Sequence, residues 1–592
     1  MKAHDPILDR AADWITHDPD PNTRAELTAL SNDAKAGSPS ARAELAERFS
    51  GPLTFGTAGL RGLLGGGESR MNRAVVLRTT WGLGQYLLAQ AKDAATQHGV
   101  VIGYDGRHLG RELAEDTACV LAALGIPSQI TPRPCSTPLT AFAVADQHAA
   151  AGVMVTASHN PPAYNGYKVY WGNGAQIIPP HDKGIAASIA AAAPADKIPR
   201  MDLGDAIAKG LVKHFSDEIE HRYLQAIHKL SVRSDGDRSI PIVYTPMHGT
   251  GNRPVRIALA EAGFTNVTTV PEQAEPDGDF PTVAFPNPEE KGALDLAYAC
   301  ADAHGVDLVI ANDPDVDRLA VAVRGPSGKF VQLTGNQVGA LLGHYVLTEG
   351  PKATQTGDRL ALASLVSSPM LGAICKALGV RYEETLTGFK WIANRAMELE
   401  ASEGLRFVFG FEEALGYTVG PVVRDKDGIS AALIMAELCA VRRAEGKTLL
   451  DELSALSRRY GLFVSGQKSI TMPGSQGIAQ IGEIMRRLRA SAPTAIGAFA
   501  VVSASDYQAR VKTAKDGTSS PIALPASDVL AYELEGGSRI IARPSGTEPK
   551  IKFYFDLCEP MQEGETVDVA DKRAREKMDE LSRAFCALAG VA

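Results

Sequence analysis

Short apolar runs alternate with alanine- and leucine-rich stretches through most of this chain. The run "GVVIGYD" precedes the helix-like "RELAEDTACVLAALG", and the same alternation recurs around "IPIVYTP" and around "DRLALASLVSS". Strands and helices in alternation predict parallel α/β layers, with ligand sites at the carboxyl ends of the strands. Three passes of this kind predict three α/β domains of related build.

The length of the chain and its two ends extend this domain prediction. A chain of 592 residues is too long for one hydrophobic core, so three to five domains of about 100–150 residues are expected. The N-terminal residues predict two or three polar amphipathic helices packed on the first domain, and the C-terminal part predicts a smaller α+β domain. The predicted segments are a helical extension over 1–50, α/β domains over 51–225, 226–335 and 336–465, and the C-terminal domain over 466–592.

The amino-acid composition limits the cellular compartment and the classes of binding partner that are expected. The net charge of −9 and the pI of about 5.9 argue against nucleic acid or an anionic membrane as a partner. Seven scattered cysteines without a C-x-x-C pair predict a reducing compartment and neither a zinc site nor a disulfide framework. The N-terminus lacks the apolar core of a secretory signal, and no apolar run reaches the roughly 18 residues of a membrane span. We therefore expect a cytoplasmic protein.

Three aspartates follow an apolar run in "DLVIANDPDVDRLAVAV". Asp313, Asp315 and Asp317 occupy alternate positions in a turn, so their oxygens can converge on one hard cation such as Mg²⁺. An EF-hand is excluded, because Arg318 and Arg324 stand where its glycine and its last glutamate are required. A haloacid-dehalogenase-type phosphotransferase and an acidic surface turn are the alternatives. The apolar strands on both sides favour a metal site over a surface turn.

A serine and a histidine stand side by side in "GVMVTASHNPP". Pro161 and Pro162 prevent regular structure there, so the segment is a loop at the end of a strand, which is a common place for reactive groups. Ser158 does not lie in the G-x-S-x-G pattern of a nucleophile elbow. His159 could serve as its base, or it could hold the loop by hydrogen bonds.

A turn near the C-terminus offers a second type of site. Arg543, Ser545, Gly546 and Thr547 in "RPSGTEPK" could cradle a phosphate, because a guanidinium fork, hydroxyls and free backbone N–H groups all suit that anion. An ordinary turn is the alternative. Other charged residues stand in loops and are uninformative singly: Arg61 in "TFGTAGLRG", Arg107 in "GYDGRHLGR", Lys390 in "LTGFKWI", and Glu412 and Glu413 in "FGFEEALGY".

Together, and in this order, the motifs closely resemble those of the α-D-phosphohexomutase superfamily. The resemblance runs from about Phe55 to Tyr554 and includes "TASHNPPAYNGYK", "FPNPEE", "ANDPDVDRLA", "GFEEALGY" and "RPSGTEPKIKFY". It is strongest to the long phosphoglucomutase branch that includes phosphopentomutases. The family implies four domains around a central cleft, namely three related α/β domains with mixed or parallel sheets and a smaller α+β C-terminal domain.

The resemblance assigns a phosphoryl carrier and a metal site. It implies that Ser158 carries a phosphoryl group within the first α/β domain. It also implies that Asp313, Asp315 and Asp317 of the second domain hold Mg²⁺ together with an oxygen of the phosphorylated Ser158.

The resemblance also implies further catalytic and substrate-binding residues. Arg61 and His159 would support the serine loop, and Lys168 and Lys390 are the candidates for general acid and base. The third domain would supply a sugar-binding loop and the C-terminal domain a phosphate clamp. The implied substrate-binding residues are Arg107, Arg318, Thr387, Gly388, Glu412, Ala414, Arg543, Ser545, Gly546, Thr547 and Lys552.

The expected activity is interconversion of glucose 1-phosphate and glucose 6-phosphate, with glucose 1,6-bisphosphate as intermediate and activator. Many phosphoglucomutases carry Glu-x-Ser in the sugar loop, whereas here Ala414 follows Glu412 and Glu413. Loss of that hydroxyl is expected to relax discrimination among hexose epimers or to admit pentoses. Phosphopentomutase, phosphomannomutase, sugar-bisphosphate synthase, phosphatase and non-catalytic binding remain alternatives. The partners expected are small-molecule sugar phosphates, with the chain as a monomer or homodimer.

Overall fold

The computed structural model describes residues 5–56, 59–349, 358–472, 475–545 and 550–591. The predicted phosphate-loop residues Gly546 and Thr547 lie outside these ranges. Within them, no helix combines the length and the apolar character needed to cross a membrane.

The chain forms two compact units. The first comprises Met1–Leu333 with Gly416–Ala440, and the second comprises Thr334–Leu415 with Val441–Ala592. The sequence had predicted a continuous third domain over 336–465, and it contained no sign that Gly416–Ala440 would group with the first unit. The reason is visible in three buried carboxylates of that segment, which bond to the first unit. Asp425 and Asp427 accept from Tyr170 and Tyr223, and Glu437 accepts the backbone N–H groups of Val232 and Arg233 at 2.8 Å.

Three helices form the N-terminal extension. Each begins with a proline after a capping residue whose side chain accepts a backbone N–H, the caps being Asp5, Asp20 and Ser38. Proline suits the first helical turn because its missing N–H would have no intrahelical partner there. The helices are α1 (Pro6–His17), α2 (Pro21–Lys35) and α3 (Pro39–Arg48).

The first α/β layer of unit 1 is a six-stranded mixed sheet. Its strands are β1 (Leu60–Leu63), β2 (Val100–Tyr104), β3 (Ser128–Ile130), β4 (Ala151–Val155), β5 (Tyr164–Trp171) and β6 (Val212–His214). Their order is β1-β5-β4-β2-β3-β6, with β4, β2, β3 and β6 parallel and β5 and β1 antiparallel. The helices are α4 (Arg73–Gln90), α5 (Lys92–Gln97), α6 (Gly110–Ala123), α7 (Thr137–Asp146), α8 (His181–Ala190) and α9 (Leu203–Ala208). The predicted strand in "GVVIGYD" and the helix after it are confirmed as β2 and α6.

The second layer of unit 1 is a five-stranded sheet in the order β11-β10-β9-β7-β8. Its strands are β7 (Ile242–Thr245), β8 (Val267–Thr269), β9 (Leu308–Ala311), β10 (Ala320–Arg324) and β11 (Phe330–Gln332). The accompanying helices are α10 (Asp217–His228), α11 (Asn252–Glu261) and α12 (Asp295–His304). Because β9 and β10 are antiparallel neighbours, the acidic motif between them forms a turn at the sheet edge where β7 also ends.

Unit 2 begins with a third α/β layer in which β12 pairs in parallel with β13 and with β14. The elements from Gly335 onward are α13 (Gly335–Thr348), β12 (Arg359–Ser364), α14 (Met370–Leu378), β13 (Arg381–Thr385), α15 (Phe389–Glu403) and β14 (Arg406–Glu412). The next elements along the chain, β15 (Gly416–Val419) and most of α16 (Gly428–Ala444), belong to unit 1, and α17 (Leu449–Tyr460) belongs to unit 2.

The C-terminal part of unit 2 is an antiparallel sheet packed against two helices. The strands are β16 (Leu462–Thr471), β17 (Ala495–Ile496), β18 (Phe499–Asp506), β19 (Val511–Ala514), β20 (Ser519–Pro521), β21 (Leu530–Leu534), β22 (Arg539–Pro544) and β23 (Lys550–Glu559). The helices are α18 (Ser475–Ala490) and α19 (Val567–Ala589). The predicted pair of strands and the closing amphipathic helix are confirmed as β22, β23 and α19, and most of the predicted turn lies outside the described residues. The fold class predicted from the sequence, three α/β layers and a smaller α+β domain, is therefore confirmed.

Candidate active site

Ser158 lies in the loop that follows β4, at the carboxyl end of a fully buried strand. Its backbone is in the left-handed region at φ +55°, which is strained for a serine and persists only where the surroundings impose it. One such restraint is local, because the N–H of Ser158 donates to Thr156 Oγ1 at 2.8 Å and that hydroxyl donates to Asp105 Oδ2 at 2.5 Å. Ser158 is 3% exposed. The serine is thus held in one orientation by its own loop.

The buried guanidinium of Arg107 holds the same loop through its backbone carbonyls. It donates to the backbone carbonyls of Ser158 at 2.6 Å and Pro161 at 2.9 Å, to that of Tyr164 at 3.2 Å, and also to that of Asn160. The sequence placed Arg107 among the substrate-binding residues. In the structure the guanidinium N–H groups of Arg107 donate to the backbone of the serine loop, so its observed role is to hold that loop in shape. Substrate contact by Arg107 stays a prediction.

Replacing Arg107 by methionine is expected to lower the free energy of unfolding by about 3–5 kcal/mol, because it breaks a buried ion pair with Asp105. The loop would lose its carbonyl donors at the same time. Chemical denaturation of the variant measures the loss, with Arg111→Met as the control because Arg111 is exposed. Equal stability of the two variants would contradict this role.

The three predicted metal ligands converge in the turn between β9 and β10. Asp313, Asp315 and Asp317 are at most 1% exposed, and one oxygen from each lies within 4.8 Å of the others. Val316 takes a left-handed conformation at φ +63°, which lets the alternate carboxylates face one point. The geometric prediction made from their spacing is therefore matched by the turn.

The serine and the carboxylates meet directly. Ser158 Oγ donates to Asp313 Oδ2 at 3.0 Å and lies 3.2 Å from His159 Nδ1. Burial and the two neighbouring carboxylates of the cluster raise the pKa of Asp313 well above its ordinary value. Burial also acts on Asp315, but the Lys168 ammonium outweighs it and lowers the pKa of that carboxyl. The raised pKa of Asp313 shows that the site disfavours a third negative charge, and a bound cation would allow all three carboxylates to be charged.

The residues present fit a divalent cation that binds through oxygen. Asp315 Oδ1 and Asp317 Oδ1 are buried and have no hydrogen-bonding partner among the described residues. A buried carboxylate oxygen without a partner is costly, and metal coordination is one of the ways in which proteins satisfy it. Oxygen-only ligands suit a hard cation such as Mg²⁺.

Two lysines and a threonine surround the carboxylates. Lys168 Nζ on β5 donates to Asp315 Oδ2 at 2.7 Å and to Asp317 Oδ2 at 3.0 Å. Lys426 Nζ forms a second ion pair with Asp317 Oδ2 at 3.1 Å, and Thr137 Oγ1 donates to Asp315 Oδ2 at 2.6 Å. Sequence reasoning placed Lys168 near the serine loop but missed Lys426 and Thr137.

A sequence signal for Lys426 existed in the segment "RDKDG", where a lysine stands between two aspartates. Both aspartates are buried and bonded to tyrosines of unit 1: Tyr170 donates to Asp425 at 2.8 Å and Tyr223 donates to Asp427 at 2.8 Å. These bonds fix the segment that carries Lys426. They also explain why this stretch groups with the first unit.

The remaining predicted residues of unit 1 form a basic fringe around the serine loop. Arg61 donates to Asn160 Oδ1 at 3.1 Å, and Arg318 lies 3.5 Å from His159 Nε2. Burial, with the guanidinium groups of Arg318 and Arg61, holds the pKa of His159 well below its usual value. The imidazole is therefore neutral at physiological pH, and its Nδ1 lies within hydrogen-bonding distance of Ser158 Oγ, whose own proton is donated to Asp313.

The predicted sugar loop in unit 2 is assembled around Glu412, at the end of β14. Glu412 Oε1 accepts the N–H of Gly388 at 2.6 Å, and Gly388 has φ +114°, a conformation that favours glycine. The hydroxyl of Thr387 is buried and has no hydrogen-bonding partner in the described parts of the chain. Lys390 lies in the first turn of α15, and Ala414 is half-buried beyond Glu412.

The described part of the predicted phosphate clamp is a cross-strand pair. Arg543 on β22 is directly opposite Lys552 on β23, and Ser545 N–H donates to the carbonyl of Lys550 at 2.7 Å. Burial, followed by the charge of Glu413, raises the pKa of Tyr554 to about 12, and Arg543 opposes that rise. Hence Tyr554 lies near both the sugar loop and the clamp within unit 2.

Comparison with known families agrees with this fold. Models described as phosphoglucomutase/phosphomannomutase alpha/beta/alpha domains I, II and III match residues 52–196, 221–328 and 334–460. The model of the C-terminal domain matches residues 507–572. The chain belongs to the phosphoglucomutase/phosphomannomutase family of the α-D-phosphohexomutase superfamily, and it is a phosphohexomutase-type isomerase.

Relatives with several named specificities cover almost the whole chain. A protein named probable phosphomannomutase from Haemophilus influenzae is 43% identical over 82% of this chain and 93% of its own length. Human phosphopentomutase is 38% identical over 87% of each chain. Mouse glucose 1,6-bisphosphate synthase is 35% identical over 94% of this chain and 90% of its own.

Among solved structures, the open form of parafusin, a phosphoglucomutase from Paramecium, superimposes with a TM-score of 0.66. It is 19% identical and covers 92% of this chain and 95% of that one. At this identity the likeness extends to the fold alone.

Proposed function

We propose that this chain is a Mg²⁺-dependent phosphosugar mutase that moves a phosphoryl group between two hydroxyls of one sugar through Ser158. The observation that carries the proposal is the 3.0 Å hydrogen bond from Ser158 Oγ to Asp313 within a buried cluster of three carboxylates. A strained serine beside a cation site is the arrangement that a phosphoryl carrier requires, because phosphoryl transfer depends on positioning and charge neutralisation.

The transfer can be written with its bonds and protons balanced. The O–P bond of phosphorylated Ser158 breaks while a bond forms from phosphorus to the free hydroxyl of a sugar monophosphate. That hydroxyl gives up its proton and the serine oxygen regains one, so no proton is gained or lost overall. The resulting sugar bisphosphate then returns its other phosphoryl group to Ser158.

The chain's own groups divide this work. Mg²⁺ held by Asp313, Asp315 and Asp317 would neutralise charge on the transferring group. The Lys168 ammonium, already bonded to two of the carboxylates, is the candidate general acid, and Lys390 is the candidate base. The neutral imidazole of His159 orients the serine hydroxyl. Glu412 would bind sugar hydroxyls, and Arg543 with Lys552 would bind the phosphate that does not react.

The substrate we favour is a pentose phosphate in addition to the glucose phosphates expected from the sequence. Relatives named phosphopentomutase match most of this chain, and Ala414 supplies no hydroxyl to the sugar loop. The initial expectation of glucose specificity is thereby widened. A coupled assay with the 1-phosphates of glucose, mannose, ribose and deoxyribose tests it, and strict glucose specificity would exclude it.

Replacing Ala414 by serine tests the role of the sugar loop. The added hydroxyl can donate one hydrogen bond to a hexose, so we expect kcat/KM for glucose 1-phosphate to rise about tenfold relative to ribose 1-phosphate. The matched control is Ala401→Ser, which adds the same hydroxyl on the exposed face of α15. An unchanged ratio would remove Ala414 from the specificity determinants.

A sugar-bisphosphate synthase is the second candidate, because a relative with that name matches 94% of this chain. Such an enzyme consumes an activated phosphoryl donor and accumulates bisphosphate. Turnover without any added donor would exclude it, whereas strict dependence on a donor would replace the mutase proposal. The cytoplasmic location and the monomeric or homodimeric state remain predictions.

A further inference from the structure

The N-terminal helices hold one glycine of the loop that follows β1. Glu26 on α2 accepts the N–H of Gly66 at 2.9 Å, and Arg48 at the end of α3 donates to the carbonyl of the same glycine at 3.1 Å. The two side chains also pair with each other at 2.7 Å. Burial raises the pKa of Glu26, but Arg48 and the Gly66 N–H lower it more, so the carboxylate is charged near neutral pH.

The fit at this position admits only glycine. A Cβ on Gly66 would meet Leu27 Cγ at 2.6 Å and the carbonyl oxygen of Thr23 at 3.0 Å, both on α2. The next residue, Gly67, has φ +117° and packs against the backbone of Arg48. The loop backbone is therefore seated directly on the two helices, and the ion pair bonds to both polar groups of one residue.

The loop that contains Gly66 follows directly on β1, the strand that carries the predicted catalytic residue Arg61. Arg61 lies on β1, and the loop begins immediately after that strand, at Leu64. The loop closes back on the strand, because the N–H of Met71 donates to the carbonyl of Leu63 at 2.8 Å. The side chain of Arg61 donates a hydrogen bond to Asn160 Oδ1 in the serine loop. A shift of the loop would therefore move the backbone of Arg61.

We propose that Arg48 and Glu26 are positioning residues for Arg61, so that the N-terminal helical extension sets the geometry of the serine loop as well as packing against the first sheet. This inference rests on the proposed function through the role given to Arg61. The extension would act through a defined chain of contacts: the Glu26–Arg48 pair, Gly66, β1, and then Arg61 at Asn160.

The test compares three variants of the full-length chain. Arg48→Met keeps most of the buried aliphatic stem but removes the donor to Gly66, and Glu26→Gln keeps the shape but removes the charge. Asp5→Ala is the control, because it removes the cap of α1 and an ion pair with Arg42 on α3, and neither contact involves Gly66. We expect kcat/KM to fall about tenfold for Arg48→Met, less for Glu26→Gln, and no more than about twofold for Asp5→Ala.

Amide hydrogen exchange supplies a readout that does not depend on the proposed chemistry. In Arg48→Met, exchange should rise across residues 60–67 and stay unchanged in β2. Unchanged exchange over the loop, or an equal rise throughout the first sheet, would overturn the inference, because the pair would then not hold this loop specifically. If Arg48→Met does not fold, Glu26→Gln carries the same comparison.

A double-mutant cycle separates positioning from general destabilisation. If Arg48 acts through Arg61, then adding Arg48→Met to Arg61→Met should cost no more than about twofold beyond Arg61→Met alone. A full additive loss would overturn the inference. Full activity of Arg61→Met alone, with exchange still raised in Arg48→Met, would instead show that the proposed role of Arg61 had failed.

Discussion

Replacing Ser158 by alanine is expected to reduce mutase turnover by a factor on the order of 10⁴ or more, because the phosphoryl group would have no carrier. Asp313 would lose its hydroxyl donor at the same time. Two measurements check this: a coupled mutase assay, and intact-protein mass spectrometry after incubation with a sugar bisphosphate. The wild-type chain should gain the mass of one phosphoryl group and the variant should not.

Ser128→Ala is the matched control for this result. Ser128 is 4% exposed, and its hydroxyl has no hydrogen-bonding partner in the described ranges, so removing it takes away a buried hydroxyl outside the loop. The control should retain full turnover and phosphorylation. Normal turnover by Ser158→Ala would exclude Ser158 as the phosphoryl carrier, regardless of whether the carboxylates bind Mg²⁺.

Replacing Asp315 by asparagine is expected to lower activity about 10³-fold and to weaken Mg²⁺ binding, while the chain still folds. The amide oxygen can still accept from Thr137 and Lys168, so the hydrogen bonds of the turn survive. What is lost is one negative charge and one strong ligand for the cation. The measurements are activity against Mg²⁺ concentration after chelation, and Mg²⁺ binding by calorimetry.

Asp307→Asn removes a carboxylate from the segment just before β9 and provides the comparison. Asp307 is exposed and pairs with Arg324, away from the turn, so its loss should leave both Mg²⁺ binding and activity unchanged. If Asp315→Asn responded to Mg²⁺ as the wild type does, the cation would have to bind elsewhere.

Local features of the site were predictable from short stretches of sequence. The alternate aspartates between two apolar runs predicted a turn of converging carboxylates, because strand ends and turn spacing are set by neighbouring residues. The prolines after Ser158 predicted an irregular loop for the same reason. The resemblance of five ordered motifs then predicted the family, which the family models confirm.

Contacts between distant segments were not predictable in this way. Lys168 and Asp315 are 147 residues apart, and Thr137 and Asp315 are 178 apart, so no local pattern links them. Arg107 is a further example. The family resemblance placed it among the substrate-binding residues, and only the tertiary structure shows that its guanidinium binds backbone carbonyls of the serine loop. Lys426 was missed because a lysine between two aspartates is usually a solvated charge.

The sequence by itself determined the α/β layering, the serine loop, the acidic turn and the family, since each depends on residue types at short spacing. The tertiary structure decided which charges meet. It brings Lys168, Lys426 and Thr137 to the carboxylates, aligns Ser158 with Asp313, and seats Gly66 between Glu26 and Arg48. The physical reason is that a buried charge is stable only with a partner, and the partner is chosen by the packing of whole elements rather than by neighbours in the chain.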